Sequence, residues 1–246
     1  MTLRLDTIAS HLAGLEETLI YKILDRAQFA GNPGAYQPGQ SRFQPAETAS
    51  LFELRLLFQE TLDTQFGRYR IPEERPFHLG LPAPRRVPPQ AETGLKITDL
   101  ETVNVSGPIR SNYLEWLPAL CGTGDDGQWG SSVEHDVICL QALGRRIHYG
   151  ALYVGESKYQ ESPETFAALV AARDDAGISA LITRAEVEQR VLARVRAKVE
   201  AVQSVSDPQL RRLVDPETIV EFFRSAIIPL TKDGEIRYLY QRVSLG

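Results

Sequence analysis

The chain has 246 residues, enough for roughly one to two domains at about 150 residues each and for a substantial core. Hydrophobic residues make up 43% and charged residues 24%, a balance that excludes disordered and fibrous classes. With 27 Lys+Arg against 32 Asp+Glu the net charge is −5, so the basic excess that a phosphate backbone demands is missing and no nucleic acid partner is expected.

From Ile8 onward, Leu12, Leu15, Leu19, Ile23 and Ala27 recur every three or four residues and predict a long helix with one buried face. It stops in Gly31-Asn-Pro-Gly34, and a loop runs on to about Gln44. Leu51, Leu54, Phe58 and Leu62 predict a second helix over about 46–66, followed by a Pro-rich segment from Arg70 to Thr93 that cannot be helical. Weaker helical patterning covers 96–100 and 111–120, with a break at Pro108. Val133, Val137, Leu140, Leu143, Ile147, Ala151 and Val154 define the second long helix, and further helices are expected over 163–173, 184–204, 216–228 and 232–243. No alternation of strand and helix patterns occurs. The expected architecture is all-α: one domain spanning 1–246, a multi-helix bundle with two long core helices.

No run of about 18 apolar residues exists. The opening Met1-Thr-Leu-Arg-Leu-Asp6 places an acid where a signal peptide needs an apolar core. Cys121 and Cys139 lack CxxC spacing and are too few for a disulfide framework. A cytoplasmic protein without membrane contact is expected.

Among catalytic motifs, Gly122-Thr-Gly-Asp-Asp-Gly127 matches GxGxxG, yet no strand precedes it and Asp125 and Asp126 would repel a pyrophosphate, so a solvated loop is expected. His11, His78, His135 and His148 fall into no ligand spacing, and no metal is expected. GxSxG and P-loop patterns are absent. What remains is a set of cations and carboxylates on helices. Arg145 and Arg146 flank the apolar stripe at Ile147, and Lys158 continues the row of Val154 at i+4. Arg184 and Glu188 share one helix face, as do Thr231 and Glu235. Spacing alone leaves two readings: solvated surface pairs, or a pocket in a helix bundle that gathers cations around a small dianion.

Five stretches resemble the all-helical chorismate mutases of the fungal and plant type. They are 15–29, 67–77, 141–150 with its Arg-Arg-Ile-His-Tyr-Gly core and its continuation at 156–160, 182–188 and 228–235, in order along most of the chain. The resemblance implies a homodimer that rearranges chorismate to prephenate on the way to phenylalanine and tyrosine, without a cofactor. A Claisen rearrangement is unimolecular, so folding the substrate into a reactive chair and stabilising charge on the breaking ether oxygen suffice. By similarity, Arg146 clamps a carboxylate, Lys158 donates to the ether oxygen and Glu188 accepts the ring hydroxyl. Thr231 helps hold a carboxylate, and Glu235 faces the ether oxygen in its protonated form. Alternatives on the same fold are an enzyme for another chorismate-derived enolpyruvyl ether and a binding protein without turnover.

The sequence departs from that family in several places. Ala9 stands where the first helix of the family carries a carboxylate-binding Arg, and Arg184 stands where Asn is usual; Arg184 is expected to replace the missing charge. Lys158 follows Arg146 by 12 residues instead of 11. At about 100° per residue, 12 residues leave the two side chains roughly 120° apart on a regular helix, so a one-residue π-bulge is predicted near 151–154. Fungal relatives bind an aromatic effector at positions resembling Gly130, Ser131 and an arginine pair; here Gly130, Ser131 and Arg68 are retained, while Gly67 and Glu134 replace Arg and Thr. Effector control stays open, with insensitivity the simpler expectation.

Overall fold

A computed structural model describes residues 4–44, 47–89 and 92–245. Among them are ten α-helices and no strand. Helix α1 (Leu5–Arg26) lies along α4 (Trp129–Tyr149), and α2 (Leu51–Gln65), α3 (Ser106–Cys121), α8 (Ala185–Ser204) and α9 (Pro216–Phe222) close the main core around them. Leu19, Ile23, Leu140, Leu143 and Ile147 are fully buried there, on the faces that the sequence periodicity selected.

Polar groups fix the relative placement of these helices. At the end of α1 the fully buried Arg26 donates to Asp136 of α4 at 2.6 Å, and Tyr36 and Tyr113 donate to the same carboxylate at 2.5 and 2.7 Å. His148 accepts the Val105 amide proton at Nε2 and donates from Nδ1 to the Gly144 carbonyl; burial lowers its pKa to about 4, so it stays neutral.

Helix α4 does not simply continue to Val154. Its α-helical hydrogen bonding gives way to a π-turn over Gly150–Val154 and resumes as α5 (Gly155–Glu161), which is the bulge that the 12-residue spacing predicts. Then follow α6 (Pro163–Ala171), α7 (Asp175–Ile182) and α10 (Ile228–Ser244). A second core cluster, including Ile8, Leu152, Tyr153 and Tyr238, packs around the bulge.

Several expectations change. The 96–100 segment is not helical, and α3 begins before Pro108 instead of being broken by it. Pro108 is the third residue of α3, where a backbone N–H has no intrahelical acceptor to lose. Helix α7 escapes the sequence pattern because it has eight residues and contains Gly177, whose amide is capped by Asp174. The segments 216–228 and 232–243 are one rod: α9 passes into α10 through a π-turn over Phe223–Ile227, just ahead of Pro229, which lacks a donor. The 122–127 loop is exposed but not merely solvated, since Asp126 accepts from the Ala30 amide and from Asn32, both at 2.9 Å.

Candidate active site

A cavity of about 490 Å³ opens where the start of α1, the π-turn, α5, the start of α8 and the start of α10 meet. Arg146, Lys158, Arg184, Glu188, Thr231 and Glu235 all line it, so all six residues singled out for the substrate site converge on one space. The π-turn makes this possible by restoring the register that an unbroken helix would lose. Gly150 permits the close approach of α10: a Cβ there would stand 2.8 Å from Thr231 Cγ2.

Arg146 is 5% exposed. Its Nη1 donates to Thr231 Oγ1 at 2.8 Å and its Nη2 to Glu16 Oε1 at 3.1 Å, while its buried Nε has no partner. Thr231 Oγ1 donates onward to the Ile227 carbonyl, which fixes its lone pairs toward the guanidinium. Glu16 is fully buried and also accepts from Arg194 Nε and Nη2, at 3.0 and 2.7 Å. One carboxylate thus braces two guanidinium groups against the cavity wall.

Sequence reasoning missed Glu16 and Arg194. The available signal was Glu16 itself, an acid at i+4 from Leu12 and i−3 from Leu19 within an apolar stripe. Its partner, 178 residues away, leaves no local trace.

Opposite Arg146, Lys158 Nζ donates to the Ile182 carbonyl at 2.6 Å and lies 2.9 Å from Glu235 Oε1. The approach to Glu235 is not aligned for hydrogen bonding, so that buried oxygen lacks a donor. Glu235 is 3% exposed, and burial raises its pKa above the ordinary carboxylate range, opposed by the charges of Lys158, Lys232 and Arg184. A carboxyl group biased toward its neutral form beside an ammonium offers two donors to one acceptor atom.

At the outer rim Glu188 pairs with Lys232 at 2.6 Å. Arg184, which precedes the first turn of α8, pairs with Glu161 at 3.3 Å with more than half of its side chain exposed. Ala9 lines the same cavity and leaves the α1 wall without a cation at that point.

The three effector candidates do not come together within one chain. Arg68 is held by Asp63 and Glu74 at 2.9 and 2.8 Å, and Asp63 also accepts from Gln141. Gly130 and Ser131 lie in the first turn of α4, about ten residues or ~15 Å along the helix from Gln141. Among the described residues no group of His, Cys, Asp and Glu is placed to hold a metal ion, and no helix is long and apolar enough to cross a membrane.

Residues 130–236 match the family model described as chorismate mutase type II. The chain is 37% identical over 253 residues to a chorismate mutase of Emericella nidulans, covering 98% of this chain and 93% of that one. It is 36% identical to the chloroplastic chorismate mutase 1 of Zea mays, covering 98% and 79%. Among solved structures, a Candida albicans chorismate mutase in complex with L-Trp superimposes with a TM-score of 0.89 at 34% identity, over 98% of this chain and 92% of that one. The chloroplast enzyme of Zea mays gives 0.87 at 35%, over 99% and 96%.

Proposed function

The chain belongs to the type II chorismate mutases, isomerases that convert chorismate to prephenate, and on that premise we propose how its own residues carry the reaction. The observation that carries the assignment is the convergence of Arg146, Lys158 and Glu235 on one cavity, with Lys158 Nζ 2.9 Å from the buried Glu235 carboxyl group.

Chorismate is a dianion whose enolpyruvyl ether must fold over the ring before the C–O bond breaks and the new C–C bond forms. Arg146, braced by Glu16 and Thr231, clamps one carboxylate. Lys158 donates to the ether oxygen, where negative charge develops, and protonated Glu235, adjacent to it, donates to the same atom. Glu188 accepts the ring hydroxyl. All of these groups are in place before substrate arrives, so little reorganisation accompanies the chemistry. Arg184 supplies the charge missing at Ala9. Its exposed pairing with Glu161 is weak enough to be exchanged for a substrate carboxylate.

A homodimer is proposed on the face of α2, where Phe58, Leu62 and the C-cap residue Phe66 form one stripe with exposures of 53%, 50% and 64%. A cytoplasmic location fits the two buried, free thiols of Cys121 and Cys139.

The decisive test of the catalytic roles is Lys158→Met, assayed by loss of chorismate absorbance and acid conversion of product to phenylpyruvate. A fall in kcat of about 10²–10³ is expected, as for loss of one donor at a developing oxyanion. Turnover at the parental rate would remove Lys158 from the mechanism.

A further inference from the structure

The π-turn restores the register of Lys158 but creates a second mechanical problem. An unbroken helix transmits the rotation of α4 to everything beyond it; five residues of π-helix break that transmission, so α5 needs its own anchor.

The contacts that supply one lie on the side of α5 away from the cavity. Glu156 is 2% exposed. Its Oε2 accepts from Tyr238 Oη at 2.6 Å and from Arg242 Nε at 2.8 Å, and its Oε1 accepts from Gln160 of its own helix at 2.9 Å. Tyr238 and Arg242 follow Glu235 on α10 by three and seven residues, so the carboxylate grips the helix that carries Glu235. The grip is close: a Cβ on Gly155 would stand 3.0 Å from the Tyr238 ring and 3.3 Å from Glu235 Cγ. Arg242 is held in turn by the Tyr159 ring, 4.0 Å from its guanidinium carbon.

We propose that Glu156 is a positioning residue for catalysis, which, through Tyr238 and Arg242, fixes the rotation of α5 on α10 and thereby the 2.9 Å approach of Lys158 Nζ to Glu235. Glu156 touches neither the cavity nor the reacting atoms. The inference rests on the roles proposed above for Lys158 and Glu235.

Loosening this anchor lets Lys158 withdraw, and two readouts follow. Turnover falls, since displacement of a donor by about 1 Å can cost as much as 10²-fold, while the carboxylate clamp at Arg146 keeps substrate affinity. The pH profile also moves. Glu235 is faced by Lys158 from α5, by Arg184 from the start of α8 and by Lys232 on its own helix. Each cation favours the ionised form, so withdrawal of Lys158 raises the Glu235 pKa and shifts the alkaline loss of activity to higher pH. A purely structural role would lower the melting temperature without moving that limb.

The experiment compares Tyr238→Phe, which keeps the buried ring and removes the hydroxyl, with Glu156→Ala and Glu156→Gln. A fall in kcat of about 10-fold for Tyr238→Phe and about 10²-fold for Glu156→Ala is expected, with KM within about threefold, the alkaline limb displaced upward and part of the rate recovered in Glu156→Gln. Should the Glu156 variants fail to fold by circular dichroism, Tyr238→Phe carries both readouts alone. Folded Tyr238→Phe with parental kcat, or with an unmoved limb, overturns the proposal. Lys158→Met separates it from the reading beneath it. If Lys158→Met turns over normally, the catalytic role of Lys158 fails; if it is crippled while Tyr238→Phe is normal, only the anchor fails.

Discussion

Charge in this site is organised residue by residue. Glu16 is the clearest case, because a fully buried carboxylate is tolerated only where charge and hydrogen bonds satisfy it, and here two guanidinium groups do so. What those cations keep for a ligand is limited, and that limit gives Arg184 its importance. With Ala9 on the α1 wall, the second carboxylate of a dianion must be met from the α8 and α10 side, where Arg184, Arg190 and Lys232 line the cavity. Arg184→Ala is therefore expected to raise KM about tenfold or more, the value of one charge-assisted pair. Steady-state kinetics with chorismate checks this, and an unchanged kcat/KM would show that Arg184 does not compensate for Ala9. The candidate residues were legible through the family resemblance of the stretches that carry them; their spacing alone left solvated surface pairs open. The pairing of Glu188 with Lys232 was not legible, since Lys232 reads as one more surface cation on an amphipathic helix.

At the scale of elements, the π-turn decides whether the site exists. Comparing the 12-residue spacing of Arg146 and Lys158 with the 11 residues of the family it resembles placed it, because helical rotation is fixed per residue and a surplus of one must be absorbed somewhere. The second π-turn was not anticipated: the pattern reads as two helices, 216–228 and 232–243, and the turn that joins them widens just ahead of Pro229. The first bulge makes a sharp prediction. Deleting Leu152 should convert Gly150–Val154 into regular α-helix and leave Lys158 facing the cavity, with kcat within about tenfold of the parent. Inserting one Ala between Gly155 and Glu156, beyond the bulge, rotates Lys158 by about 100° and should cost at least 10²-fold. Equal damage from both changes would mean that the bulge does not set the register.

For the whole molecule, the same helices that build the cavity leave an apolar stripe exposed along α2, where Phe58 stands beside the Phe43 ring. Its residues were legible only as part of a helical pattern; periodicity does not say whether an apolar row faces the core or another copy of the chain. Sedimentation at micromolar concentration is expected to give twice the monomer mass, and Phe58→Glu to shift it toward the monomer. A monomer in the parent protein would refute the dimer. The all-helical class and both long core helices followed from periodicity, whereas α7 and the continuity of α9 with α10 depended on local capping and backbone adjustments invisible in that pattern.

The central claim is that a buried, protonated Glu235 faces the ether oxygen with Lys158, and the pH dependence of kcat tests it most directly. Activity requires the neutral carboxyl group, so it should be full below the raised pKa of Glu235 and fall as pH rises through it. Glu235→Gln, which stays neutral and still donates, should remove that fall. A profile that keeps the same alkaline limb in Glu235→Gln would contradict the mechanism.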